Sequence, residues 1–149
     1  MKYKIICVGK IKEQFYRDEI ADLCGRIKRK GNSIEIIEIP DIKIPDNLKE
    51  ERKEDFLKKE CEPMGGKIGN RDYVIALCIE GREMASNKHR EYADKAAYMG
   101  KESITYVIGG SLGLPKWVKE RADLKLSFSK MTFPHQLMRM VLLEEIAGF

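Results

Sequence analysis

The stretch YVIALCIEG, Tyr73–Gly81, is an almost continuous apolar run closed by a glycine. A strand with one wet face alternates apolar and polar residues. A run without that alternation reads as a strand covered on both faces, as in a parallel sheet flanked by helices. YKIICV, Tyr3–Val8, and SITYVIGG, Ser103–Gly110, have the same character, and each meets a glycine. SIEIIEIP, Ser33–Pro40, is an isoleucine-rich strand, and DLKLSFS alternates Leu124, Leu126 and Phe128.

Helical patterns fill the gaps. Tyr16, Ile20, Leu23, Cys24 and Ile27 fall on the apolar stripe of a 3.6-residue period, stopped by Gly31 and Asn32. Lys43 to Glu60 is dense in both charges, with Leu48, Phe56, Leu57 and Cys61 as a narrow stripe, and reads as a solvated helix before a glycine-rich break at 63–69. Ser86 or Asn87 is placed to cap a helix running to Met99. Pro115 suits the first turn of a helix holding Trp117 and Val118. The final helix, from near Pro134, is apolar on more than one face through Leu137, Met138, Met140, Val141, Leu142, Leu143 and Ile146. Such a helix needs cover on more than one side, which a subunit interface supplies. Strand and helix thus alternate five times. This predicts one α/β domain over residues 1–149, a parallel-sheet sandwich with right-handed crossovers.

The chain has 149 residues, 43% apolar and 35% charged, a globular composition with a charged surface. Its apolar runs fall short of the roughly 20 residues of a membrane span, and the N-terminal run is too short for a signal peptide. A cytoplasmic protein is expected. The four cysteines form no C-x-x-C pair, and Cys7 and Cys78 lie inside strand-like runs, where thiols act as small hydrophobes. His89 and His135, the only histidines, lack ligand spacing to them, so no metal site is expected. The net charge of +4 permits nucleic acid as a partner without requiring it.

Open parallel sheets bind ligands beyond the carboxyl ends of their strands. Three such ends are unusual here. ALCIEGREMAS, Ala76–Ser86, turns from a buried strand into a polar loop, which a plain connection also explains. IGGSLGLP, Ile108–Pro115, is neither a Walker A loop nor G-x-G-x-x-G, yet its glycines let backbone approach a ligand closely. Phe128, Ser129, Lys130, Met131, Thr132 and Phe133 mix apolar and polar groups, a mixture suited to an adenine ring. Thr132 is placed to cap the last helix. There His135 and Arg139, four apart, share a face. A packed histidine and an arginine ion-paired with a nearby carboxylate, such as Glu145 of a neighbour, are the plain alternatives.

Taken together, IICVGKIKE (Ile5–Glu13), IIEIPD (Ile36–Asp41), LCIEGREMAS, VIGGSLGL and above all LSFSKMTFPHQLMRMVLLEE (Leu126–Glu145) resemble the RlmH family of SPOUT methyltransferases. The likeness runs from Met1 to about Glu145. It implies an α/β fold whose C-terminal part forms a deep trefoil knot, an exception to the rule against threaded loops. It implies S-adenosyl-L-methionine as cofactor, contacted by Leu77, Gly109 and the loop Phe128, Ser129, Lys130, Met131, Thr132 and Phe133, with Gly110 and Ser111 flanking. It implies a homodimer, and as substrate a pseudouridine of large-subunit rRNA, methylated at N3 in the ribosome. Because the sulfonium methyl is already activated, no metal is required. His135 is the candidate base for the N3 proton. Arg139 is the candidate to stabilise oxyanion charge or grip phosphate. The basic run Arg26, Lys28, Arg29 and Lys30 either touches rRNA or complements a helix C-terminus.

One departure stands out. The family continues with a Tyr-Arg segment and a stretch ending near Tyr-His, whereas LLEEIAGF closes this sequence at Phe149. Residues of that tail have no counterpart to carry over. The expectation is that cofactor binding survives while rRNA methylation is weakened. A dimeric cofactor- or RNA-binding protein, or a knotted methyltransferase acting on tRNA, are the alternatives.

Overall fold

A computed structural model describes residues 1–149. The strands are β1 (Lys2–Val8), β2 (Ser33–Ile39), β3 (Asp72–Arg82), β4 (Ser103–Ile108) and β5 (Leu124–Leu126). The helices are α1 (Gln14–Arg29), α2 (Glu50–Cys61), α3 (Ser86–Tyr98), α4 (Lys116–Arg121) and α5 (His135–Ala147), and a 3-10 turn spans Glu62–Gly66. The sheet order is β2-β1-β4-β3-β5, and every pairing is parallel. Alternate side chains of one strand enter opposite layers: Ile5 and Cys7 pack towards α1, α3 and α5, Ile6 and Val8 towards α2 and α4. Both faces are therefore dry, which is why β1, β3 and β4 carry no polar alternation. Burying each such isoleucine contributes about 1.5–3 kcal/mol.

The five strand–helix units stand as predicted, with local differences. The last strand ends at Leu126, so Phe128 lies in the loop beyond it, and Pro115 is the N-cap of α4 rather than part of its first turn. The charged 43–60 segment is helical only from Glu50, because Pro45 disfavours helical geometry before it. That helix is less solvated than its charge implies: Phe56, Leu57, Glu60 and Cys61 are all buried. The caps also differ. Ala85 and Pro134 occupy the N-cap positions of α3 and α5, without a side-chain cap. The Ser86 hydroxyl instead donates to Glu145 at 2.9 Å.

Two polar clusters fix the layers. At the amino ends of the strands, Asp72 pairs with Lys4 at 2.8 Å and accepts from Gly69 N–H and the Ser103 and Thr105 hydroxyls. Between α3, β4 and α5, Tyr106 lies 2.6 Å from His89 Nε2, and His89 Nδ1 lies 3.2 Å from Glu145. One proton arrangement satisfies both contacts: the tyrosine donates to Nε2, and Nδ1–H donates to the carboxylate. The basic end of α1 serves α5 rather than its own C-terminus. Lys30 donates to the carbonyl of Ala147, and Arg26 pairs with Glu144.

Candidate active site

The last residues of β3 and the loops beyond β4 and β5 surround one cleft of about 750 Å3. The first of these three segments is an arch within β3. Leu126 is paired with both Leu77 and Arg82, so residues 78–81 bulge out over the end of β5. Gly81 is required there, since a Cβ would sit 2.7 Å from the Leu126 backbone. The second loop is a tight turn, closed by Gly113 N–H donating to Gly110 at 3.1 Å. Gly113 has φ +91°, and a Cβ on Gly109 would come 2.3 Å from the Gly113 carbonyl oxygen. The third loop is held by its own side chains. The Ser127 hydroxyl donates to the Ser129 carbonyl at 2.9 Å, and Met131 N–H donates to Ser129 Oγ at 3.0 Å.

His135 opens α5 and turns its ring over Gly9; a Cβ on that glycine would lie 3.4 Å from Nε2. Burial pushes the imidazole pKa down, and the Arg139 guanidinium adds to the shift. Arg139 is itself only 1% exposed. It donates to Glu38 at 2.7 Å and to the Gly9 carbonyl at 3.1 Å, while Glu38 also accepts from Ile11 N–H. This network ties α5 to the ends of β1 and β2. On the opposite rim, Lys119 pairs with Glu80 and holds its carboxyl below the ordinary range.

The sequence model of the family described as "Predicted SPOUT methyltransferase" matches residues 1–147. The chain belongs to the SPOUT methyltransferase family. Among curated relatives, the protein named Ribosomal RNA large subunit methyltransferase H from Streptococcus uberis is 47% identical over 146 residues, covering 98% of this chain and 91% of the relative. Proteins of the same name from Streptococcus suis and Leuconostoc citreum are each 44% identical over the same shares of both chains.

In this SPOUT chain, Leu77, Gly109, Phe128, Ser129, Met131, Thr132, Phe133 and His135 all line the one cleft. Lys130, in the same loop, is exposed and outside the lining. Arg139 is outside it too. The plain alternative of an ion pair is what the structure gives, with Glu38 of the same chain as the partner. In this arrangement its guanidinium is taken up by Glu38 and the Gly9 carbonyl. Sequence reasoning missed Lys53, Lys119 and Met138 in the wall. Met138 was within reach of the helical period, being one turn from His135. Lys53 carried no signal, because its helix is charged throughout.

The free thiols of Cys7 and Cys61 are pushed up to about 12 by burial, as inert structural cysteines are. No group of three or more His, Cys, Asp or Glu is placed to hold a metal ion, and no helix is long and apolar enough to cross a membrane.

Proposed function

We propose that this chain transfers a methyl group from S-adenosyl-L-methionine to N3 of a pseudouridine in large-subunit rRNA, within the ribosome, as a cytoplasmic homodimer. The observation that carries this reading is the single cleft in which three loops, far apart in sequence, meet beside His135. The residues present fit the cofactor. The volume lies within the range of about 300–1,000 Å3 typical of small-molecule sites. Apolar walls from Leu77, Phe128 and Phe133 stand beside backbone polar groups at Gly109 and the Ser129–Thr132 loop. When bound, the cofactor supplies a methyl already activated by its sulfonium.

The chain's own residues do the rest. The loops exclude water and fix the orientation of what they enclose. His135, neutral because burial and Arg139 oppose its protonation, accepts the ring N3 proton as the nitrogen becomes nucleophilic. Arg139 and Glu38 hold the helix that carries it. Support for the dimer comes from α5, where Val141 is 39% exposed and Leu137 and Met140 are half-buried. The trefoil knot enters the proposal through the family to which the chain belongs.

The test is transfer of tritiated methyl from labelled cofactor to ribosomes lacking the modification. Label in large-subunit rRNA is expected. Label in tRNA alone, or cofactor binding without transfer, would overturn the reading. Val141→Glu should convert the dimer to monomer in sedimentation.

A further inference from the structure

A smaller cavity of about 190 Å3 lies beside the cofactor cleft. Gly110–Leu112 and His135 line both spaces, so the two adjoin along these residues, the candidate base among them. Val8 and Phe56 give the smaller cavity apolar sides, and Asp41, Lys43 and Glu60 give it charge. Its size falls below the range for whole small-molecule ligands, and suits one ring.

Glu60 is the unexplained member. It is 4% exposed, and one carboxylate oxygen accepts Ile42 N–H at 3.1 Å. The other oxygen has no partner, and it sits where a Cβ on Gly110 would come within 3.2 Å. Burial pushes the carboxyl up, against the pull of the Ile42 amide, and Asp41 adds to the rise. A buried acceptor without a donor is destabilising, and the group is placed to receive one from outside.

Resting on the function proposed above, we infer that the smaller cavity is the acceptor-base subsite, in which Glu60 receives the N1–H of a C-linked uracil ring. The ring chemistry makes this a specificity device. In pseudouridine the ribose is bonded to C5. With C5 at the mouth, C2 lies deepest, and the two N–H groups point to opposite walls. N3–H then faces His135 and the cofactor cleft, and N1–H faces Glu60. A uridine, bonded through N1, presents C–H where the carboxylate waits and leaves that acceptor unpaired. Sites built to bond a polar group reject analogues lacking it far more strongly than apolar pockets discriminate size.

Glu60→Gln tests the assignment. Its amide oxygen must accept from Ile42 N–H, which turns the NH2 group into the cavity, donor against donor. Methyl transfer is measured on ribosomes carrying pseudouridine and on ribosomes from cells without the synthase that makes it. Cofactor affinity is measured in parallel by calorimetry. Wild type should strongly prefer the pseudouridine-bearing ribosomes, and Glu60→Gln should lose about 100-fold in kcat/KM on them with cofactor affinity within twofold. Equal wild-type transfer to both ribosomes, or an unimpaired Glu60→Gln enzyme, would overturn the inference. So would a loss of cofactor affinity, since Glu60 would then be a prop for the Gly110 turn. Wild type that labels neither ribosome sinks the function on which the inference rests.

Discussion

Gly109→Ala is the smallest change that reaches the cleft proposed for the cofactor. The added carbon would stand 2.3 Å from the Gly113 carbonyl oxygen and 2.5 Å from the carbon bearing it. Both obstacles are backbone, so no rotamer change relieves the clash. The turn has to retreat by about 1 Å before the contact becomes ordinary. Overpacking of this kind costs about 1–3 kcal/mol. The strand before it, buried throughout, is held on both sides by β1 and β3, and does not yield. The turn beyond it yields, and its movement stretches the Gly110–Gly113 bond and reshapes a wall of the cleft. Folding bears part of that cost, and binding bears a further part through the displaced wall. At about 1.4 kcal/mol per factor of ten, cofactor affinity should drop roughly tenfold or more. Titration calorimetry with S-adenosyl-L-methionine reads the affinity, and circular dichroism melting shows that the fold persists. Gly66→Ala, where nothing lies within 4 Å of the added carbon, is the control and should change neither. Affinity within twofold of wild type for Gly109→Ala would refute the placement of the cleft.

His135→Ala should lower methyl transfer by about 100-fold or more while cofactor affinity by calorimetry stays near wild type. Because burial and then Arg139 depress the imidazole pKa, the wild-type rate should be level above neutrality and fall only on the acid side, below the ordinary histidine value near 6.5. Asp72→Asn leaves Lys4 with the Lys67 carbonyl but without its ion partner, where the two side chains are 13% and 6% exposed, and should destabilise the fold by about 3 kcal/mol in urea titrations. Burial alone would raise the Asp72 pKa, but Lys4, the Gly69 amide and the two hydroxyls bring it down to about 2. A depressed carboxylate stabilises the fold above its unfolded value near 4, so the gap between wild type and Asp72→Asn should close as pH falls from about 4 towards 2. Leu142→Ala empties a fully buried position under α5 and should cost about 3 kcal/mol, read as a lower denaturant midpoint with unchanged slope.

Burial on two faces writes itself into a strand directly, which is why Tyr73–Gly81 announced a parallel sheet. The cleft loops were legible for a different reason: they follow those strands and carry glycines or mixed polarity where connections need neither. What escaped was partnership. Arg139 shows only a charge on a helix face, and its partner Glu38 stands 101 residues earlier in the sequence. The charge density of α2 hid the inward turn of Glu60, because a window of neighbouring residues averages the one buried carboxylate with exposed lysines. Lys130 shares the loop's sequence pattern, yet its side chain leaves the cleft; pattern fixes the backbone of a loop more firmly than the direction of each side chain.

The contact of Arg139 with the Gly9 carbonyl spans 130 residues. His135, one turn earlier, rests on the same glycine. Such long-range closure costs chain entropy before the contact returns anything. The proposed proton acceptor is thus held in place only when the last helix is docked at the end of the first strand. A nascent or partly unfolded chain can hold most of its sheet and still have no chemistry, so activity reports completion of the whole molecule rather than of any local part.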